Sequence, residues 1–184
     1  MKIRLYATLT VVVLAGCGGD KPAPGVNPRK MADAVYAVIS ADRATYTKEV
    51  VNRLVEAKVI KATEHWKDEQ TLPLPAQMLR MGAAQVQKGE HGVSYSLLSL
   101  WPINKQNAAR TAVEIDGLKK VADGAAPVYA DEVLGGKKYL TAVYPDKAAV
   151  PACVDCHNSN ADSPRTDFKL GDVMGGVVVR IALD

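Results

Sequence analysis

Cysteine is scarce in this chain, with three in 184 residues. Two of them, Cys153 and Cys156, stand together as a C-x-x-C pair, so no framework of structural disulfides can be drawn and the fold must rest on an apolar core. No apolar run reaches the about 20 residues that a membrane-spanning helix needs. Internal repeats are absent, which excludes a solenoid or propeller, and no grouping of nucleophile, base and orienting acid suggests a hydrolase. Charge of one sign is lacking too. Without the basic leader that contains Lys2 and Arg4, the 23 basic and 20 acidic residues become 21 and 20, which leaves no electrostatic footprint for nucleic acid.

What is present begins with MKIRLYATLTVVVLAGCGGD. Lys2 and Arg4 precede a short apolar run ending in Leu14-Ala15-Gly16-Cys17, the pattern of a secretory signal. Its last four residues resemble the bacterial lipobox, in which cleavage before the cysteine accompanies diacylglyceryl transfer to its sulfur. The expected organisation is a lipoprotein signal peptide over 1–16, a Pro/Gly tether over 17–28 that contains KPAPGVNP, and a single domain over 29–184. Cys17 would be the lipidated residue. Stable anchoring takes more than one acyl chain at about 0.8 kcal/mol per buried CH₂, and a lipoprotein has several. The chain is therefore expected to be exported and held at a periplasm-facing membrane, with Gly18 after Cys17 leaning toward the outer one.

With Cys17 set aside, both remaining thiols lie in PACVDCHNSN, where Cys153, Cys156 and His157 form C-x-x-C-H. This is the attachment signature of c-type haem: two thiols add to the porphyrin vinyl groups as thioethers, and the adjacent imidazole reaches the iron. Three other readings stand beside it. A thioredoxin-like pair should open a helix after a strand in a parallel βαβ setting, whereas a polar, turn-rich HNSNADSP follows here. A structural zinc site needs four N/S ligands, with only His65 and His91 left to complete it. A chance motif would leave two exposed thiols in an oxidising space. One covalent haem c is the expected cofactor, with His157 as proximal ligand.

The second axial position is open to His65, His91, Met31, Met78, Met81 and Met174. Residues 76–88, AQMLRMGAAQVQK, read as a helix preceded by Pro73 and Pro75. Met78 and Met81 share a face of it, beside Gly82, Ala83 and Ala84, which leave room for a flat ring. A methionine pair at this spacing also suits plain core packing. His65 lies between elements and His91 in a glycine-flanked turn. The order of preference is Met78, Met81, His65. Arg165 and Lys169 could pair with haem propionates or remain solvated.

From Asn27 the apolar positions 31, 35, 38, 39, 46, 50, 51, 54, 55 and 59 describe a long amphipathic helix, with Asn27 as cap and Pro28 in its first turn. Such a helix packs on its own domain or on a second copy. HGVSYSLLSLW reads as a strand, residues 107–122 as a helix weakened by Gly117, and APVYADEVLGGKKYLTAVYP as a hairpin turning at Gly135-Gly136. The motif is expected in a loop before a last strand, MGGVVVRIAL. This order gives an α+β domain with an antiparallel sheet.

The run CVDCHNSNADSPRTDFKLGDVMGGVVV, the upstream WPINKQN and the hairpin between them resemble the bacterial single-haem c-type proteins with a PAS-like domain, over residues 30–184. FKLGDVMGG at 168–176 is the most specific part. The resemblance implies a PAS-like antiparallel sheet flanked by helices with a long N-terminal helix, thioethers at Cys153 and Cys156, His157 as axial ligand, and redox or gas sensing. Asn104 and Asn107 match polar positions of the family. At least one member is thought to use a cysteine from the N-terminal helical region as distal ligand, and no cysteine lies between 18 and 152 here; rough spacing places the equivalent near Met78.

The functional expectation is a membrane-tethered single-haem c-type protein that senses redox state or a small ligand and passes the signal to a redox or signalling partner, with homodimerisation through the long helix as a possible arrangement. No output module is seen within the sequence. A simple periplasmic electron-transfer cytochrome is the alternative. A peroxidase needs an open iron and a distal acid–base group, for which His65 near Glu64 and Lys67 is the only hint, so an enzyme is not expected.

Overall fold

The computed structural model describes residues 25–124 and 126–183. The expected signal peptide and Cys17 lie outside the described residues. Helix α1, Pro28–Thr45, starts where Asn27 accepts hydrogen bonds from the backbone N–H groups of Arg29 and Lys30, at 2.9 and 3.3 Å, with Pro28 behind it. The helix continues through π-helical turns at Tyr46–Asn52 into α2, Arg53–Glu56. At the widening the Thr47 hydroxyl donates to the Arg43 carbonyl at 2.7 Å, a side-chain intrusion of the kind that loosens the i to i−4 ladder.

A two-stranded parallel pair, β1 (Ala62–Thr63) and β2 (Leu72–Pro73), brackets the short helix α3, Trp66–Glu69. Helix α4, Pro75–Lys88, leads to β3, Val93–Leu98; a 3₁₀ turn at Lys105–Asn107 and helix α5, Ala112–Ala122, come next. Strands β4 (Val128–Leu134) and β5 (Lys137–Lys147) form a hairpin, helix α6 spans Pro151–Ser159, and β6, Val173–Leu183, completes the sheet. The order in the sheet is β3-β6-β5-β4, antiparallel throughout. The protein is thus α+β with a four-stranded antiparallel sheet and helices. Gly135 and Gly136, both with positive φ (56° and 80°), make the tight turn of the hairpin.

Both faces of the sheet are covered, so its central strands read as continuous apolar runs. Along β5 and β6 the residues Ala142, Tyr144, Val177, Val179 and Ile181 pack with Ala32 of α1, while the alternate positions Val143 and Val178 pack with Leu118 and Val121 of α5. Each Val, Leu or Ile side chain fully buried here contributes about 1.5–3 kcal/mol.

Two expectations need correction. The helix expected over 107–122 begins only at Ala112, because Thr111 caps it: the Glu114 N–H donates to the Thr111 hydroxyl at 3.2 Å, and the Glu114 carboxylate accepts from the Thr111 N–H at 3.0 Å. The motif segment, expected as a loop, is helix α6, started by Pro151 in its first turn.

The glycine pair of DVMGG lies where β6 runs between two neighbours. A Cβ on Gly175 would stand 2.5 Å from the Leu98 carbonyl oxygen, and one on Gly176 would meet Leu118 at 2.7 Å and the Tyr144 carbonyl oxygen at 2.9 Å. Backbone cannot yield as a flexible side chain can, so Gly175→Ala is expected to destabilise the fold by about 1–3 kcal/mol. A shift of the urea midpoint with unchanged slope checks this; a midpoint equal to wild type contradicts it.

Candidate functional site

Helix α6 connects the two central strands of the sheet and rests on a small core of its own. Ala148, Phe168 and Met174 are buried there, with Trp101, Cys153 and Val154 packed against them. The Asn158 side chain clamps the returning chain by donating to the Phe168 carbonyl at 2.9 Å and accepting from the Phe168 N–H at 3.0 Å. Two further backbone bonds, Ala148 N–H to the Asp172 carbonyl at 2.8 Å and Gly171 N–H to the Ala148 carbonyl at 2.9 Å, close the base of this arm. The FKLGD run is therefore the seat of the motif helix.

On that seat Cys153 is half-buried and Cys156, one turn later, is exposed. The His157 ring meets Phe168 edge-on, centroids 5.8 Å apart at 89°. Its Nδ1 is buried without a hydrogen-bond partner, the one such side-chain atom among the described residues. Burial pulls the His157 pKa below the usual imidazole value, against an upward pull from the Asp146 carboxylate, so the ring is held neutral, as a metal ligand must be. Cys156 shifts the other way: burial, then the carboxylate of Glu64, then the neighbouring Cys153 thiol push its pKa up.

Of the segments that hold the distal candidates, the Glu64-His65 corner is tied to the start of α4 by Gln77, which donates to the Glu64 carbonyl at 2.8 Å. Met78 follows Gln77 and is half-buried, whereas Met81 is 38% exposed. His65 is exposed and stands 3.5 Å from the Glu64 carboxylate. The core beneath α6 takes in neither Met78 nor Met81. Met174 belongs to that core, Met31 packs against the sheet from α1, and His91 is exposed in the turn before β3. Arg165 is engaged: it bonds Asp167 at 2.6 Å and its guanidinium lies over the rings of Trp101 and Phe168, at 4.7 and 4.4 Å from their centroids. Trp101 of the WPINKQN segment thereby becomes part of the site's support, and Asn104 caps the 3₁₀ turn by accepting from the Gln106 N–H at 2.9 Å.

The donor set bears on the readings left open by the motif. Among the described residues no three His, Cys, Asp or Glu side chains converge on one point as a metal cage would require. The strands on either side of α6 are antiparallel, unlike the parallel setting of a thioredoxin-like pair. Two thiols a helical turn apart and a neutral imidazole with an unpartnered nitrogen fit a porphyrin held by two thioethers and one axial ligand. Cys153, Cys156 and His157 are the residues that could hold it.

The sequence matches the family model described as Tll0287-like over residues 26–182. This chain belongs to the Tll0287-like family. No curated protein matches it. Among solved structures, the crystal structure of the cyanobacterial heme-protein Tll0287 is similar to this family member, with a TM-score of 0.55 at 16% identity, covering 86% of this chain and 98% of that one. At that identity the likeness concerns the fold, and the Tll0287-like fold described above includes the arm that bears α6. Sequence reasoning missed the supporting ring system of Trp101, Arg165 and Phe168; its signal was the lone phenylalanine of the chain placed eleven residues after the motif histidine.

Proposed function

We propose that the protein is a single-haem c-type member of its family, with a PAS-like sheet, in which Cys153 and Cys156 carry the porphyrin as thioethers and His157 ligates the iron. The observation that carries this is the neutral, half-buried imidazole with its unpartnered Nδ1, one residue after a thiol pair on a firmly seated helix. A bound haem would supply one-electron chemistry and a site for a diatomic ligand. Met78 is the favoured distal residue, with Met81 and His65 as alternatives, because it is half-buried on α4 and is not taken into the core beneath α6, whereas Met81 and His65 are exposed.

The role favoured is sensing, with the signal carried to a partner, and the specific support lies in α1. Arg43 of this helix grips Asp146 at the end of β5 with two bonds, 2.7 and 3.3 Å, and Asp146 is the carboxylate that acts on His157. A helix that moved would release that carboxylate and alter the charge felt at the axial ligand. Among the described residues no helix is long and apolar enough to cross a membrane; attachment to a periplasm-facing membrane is assigned to a lipid on Cys17.

Expression of the full-length chain in a host with haem-attachment machinery tests the reading. The expected product gains the mass of one haem and shows a thioether-type haemochrome. A chain of unchanged mass would overturn it. Nitric oxide or carbon monoxide should alter the reduced spectrum; a spectrum indifferent to both, combined with rapid electron exchange, would favour the simple carrier. Loss of a Met-sulfur charge-transfer band in Met78→Ala would identify the distal ligand. Arg43→Gln should move the midpoint potential negative and Asp146→Asn positive, each by tens of millivolts, on a scale where ~59 mV is tenfold for one electron. Equal signs in a spectroelectrochemical titration would contradict the coupling.

A further inference from the structure

Where α1 crosses the sheet, two tyrosines share one carboxylate and a third stacks on one of them. The Tyr129 and Tyr144 hydroxyls both donate to the same oxygen of Asp33, Oδ1, at 2.6 and 2.7 Å. Tyr36 of α1 lies flat on Tyr144, ring centroids 4.0 Å apart and planes within 4°, and Tyr129 meets Tyr144 edge-on at 6.2 Å. Tyr144 is 2% exposed, whereas Asp33 sits at the surface. Core packing alone does not ask for a doubled phenol–carboxylate contact, and the stack on Tyr144 brings a second phenol into van der Waals reach of the first.

The electrostatics keep the pair poised. Hydrogen bonds from Tyr129 and then Tyr144, with help from Arg29 and against a small effect of burial, hold the Asp33 carboxyl below its usual range. Burial first, then Asp33, push the Tyr144 phenol well above its ordinary value. In the resting protein the proton therefore stays on the phenol and the carboxylate is free to accept it. Loss of an electron from the ring reverses that order, because an oxidised phenol is strongly acidic.

We propose that Tyr144 is a redox-active tyrosine, oxidised by one electron with Asp33 as its proton acceptor and Tyr36 stacked on it as the path by which the electron leaves. In the step, a one-electron oxidant removes an electron from the Tyr144 ring and is itself reduced. The phenolic O–H bond breaks and its proton forms a new O–H bond on Asp33 Oδ1, leaving a neutral phenoxyl radical and a neutral carboxylic acid. Asp33 can return the proton to water, while the Tyr144 ring stays sealed from solvent quenchers. Entry is by way of Tyr36, which lines a cavity of about 350 Å³ together with Ser40, Arg43 and Asp146; the class of reactant that fits is a small, diffusible one-electron oxidant. This does not depend on the haem assignment.

Flash oxidation of the full-length chain with a ruthenium polypyridyl complex and persulfate, read by electron paramagnetic resonance and transient absorption, tests the proposal. Wild type should give a long-lived tyrosyl radical that Tyr144→Phe removes and Tyr129→Phe retains. Asp33→Asn keeps an oxygen that accepts both hydroxyls but is a far weaker base, so radical formation should slow by about a hundredfold while the circular dichroism spectrum is unchanged. A purely structural clamp would show the opposite: a lowered melting temperature in Asp33→Asn with radical formation at the wild-type rate. That result, or a Tyr144→Phe protein that keeps the long-lived signal, would overturn the assignment.

Discussion

Replacing Cys153 and Cys156 together by alanine should leave a folded protein from which every tetrapyrrole is extracted by acidified organic solvent, whereas the wild-type protein should retain its haem through denaturation. The effect should run from nearly complete attachment to background, and each single variant should keep one thioether and an intermediate haemochrome spectrum. Folding should survive because the seat of α6 does not depend on sulfur: it is made by Ala148, Phe168 and Met174 and by the two bonds between Asn158 and the Phe168 backbone. Cys156 is exposed and Cys153 only half-buried, so their truncation removes little packing. His157→Ala should separate attachment from ligation, with the thioethers kept and the spectrum turned to that of an iron without its proximal nitrogen. Acid should act on the same atom. Because burial lowers the His157 pKa, protons compete with iron for this imidazole only at a lower pH than for a solvated one, and the ligated spectrum should persist below the ordinary histidine range near 6.5. A double variant that still holds haem covalently would remove the basis for the functional assignment.

The elements that the sequence made legible are those whose signal is local. Asn27-Pro28 marks a helix start, Gly135-Gly136 marks a hairpin, and the β-branched run after Gly176 marks a strand, each because a single backbone requirement selects the residue type. Helix α6 was hidden because HNSN reads as turn chemistry: the preference of asparagine for turns is overridden when its side chain has a distant backbone to bind, as Asn158 does at Phe168. The late start of α5 was readable, since Thr111 and Glu114 have capping-box spacing, but the periodic run upstream of it obscured the boundary. The shared carboxylate of Tyr129 and Tyr144 depends on residues far apart in the chain, Asp33 being 111 positions from Tyr144, and no local pattern reports such meetings. Of the candidate site, the Cys153, Cys156 and His157 half was visible as a motif. Its support by Trp101, Arg165 and Phe168 was not, because those three side chains meet only in the folded protein.

Arg180→Met should destabilise the fold by about 3–5 kcal/mol, a large share of the about 5–15 kcal/mol that holds a typical domain together. The reason is visible in the alternation of β6, where Arg180 takes a position on the α5 face among valines. Its guanidinium bonds Glu114 of α5 at 2.6 Å and Glu132 of β4 at 2.9 Å, with side-chain exposures of 14%, 7% and 6% for the three. Thr141 adds a bond to Glu132 at 2.8 Å, and Glu114 also accepts from the Arg110 and Thr111 backbone. Burial pushes both glutamates up, yet the Arg110 N–H and Arg180 for Glu114, and Thr111, Arg180 and Thr141 for Glu132, hold each below its usual value. Without the cation two buried carboxylates would remain facing one another, which costs more than the pair contributed. The sign of the pH dependence follows. Groups with a depressed folded pKa stabilise the native state above the unfolded glutamate value of about 4.3 and lose that contribution as pH falls through the folded value. Wild type should therefore lose stability steeply in acid below that point, and Arg180→Met, whose glutamates are no longer held down, should lose much less. Combining Arg180→Met with Glu114→Gln and Glu132→Gln should recover a large part of the loss, since no uncompensated charge is then buried. Urea unfolding at neutral pH and near pH 3 measures all three quantities, and an Arg180→Met midpoint close to wild type at neutral pH would show that the network does not act as a buried ionic joint between α5 and the sheet.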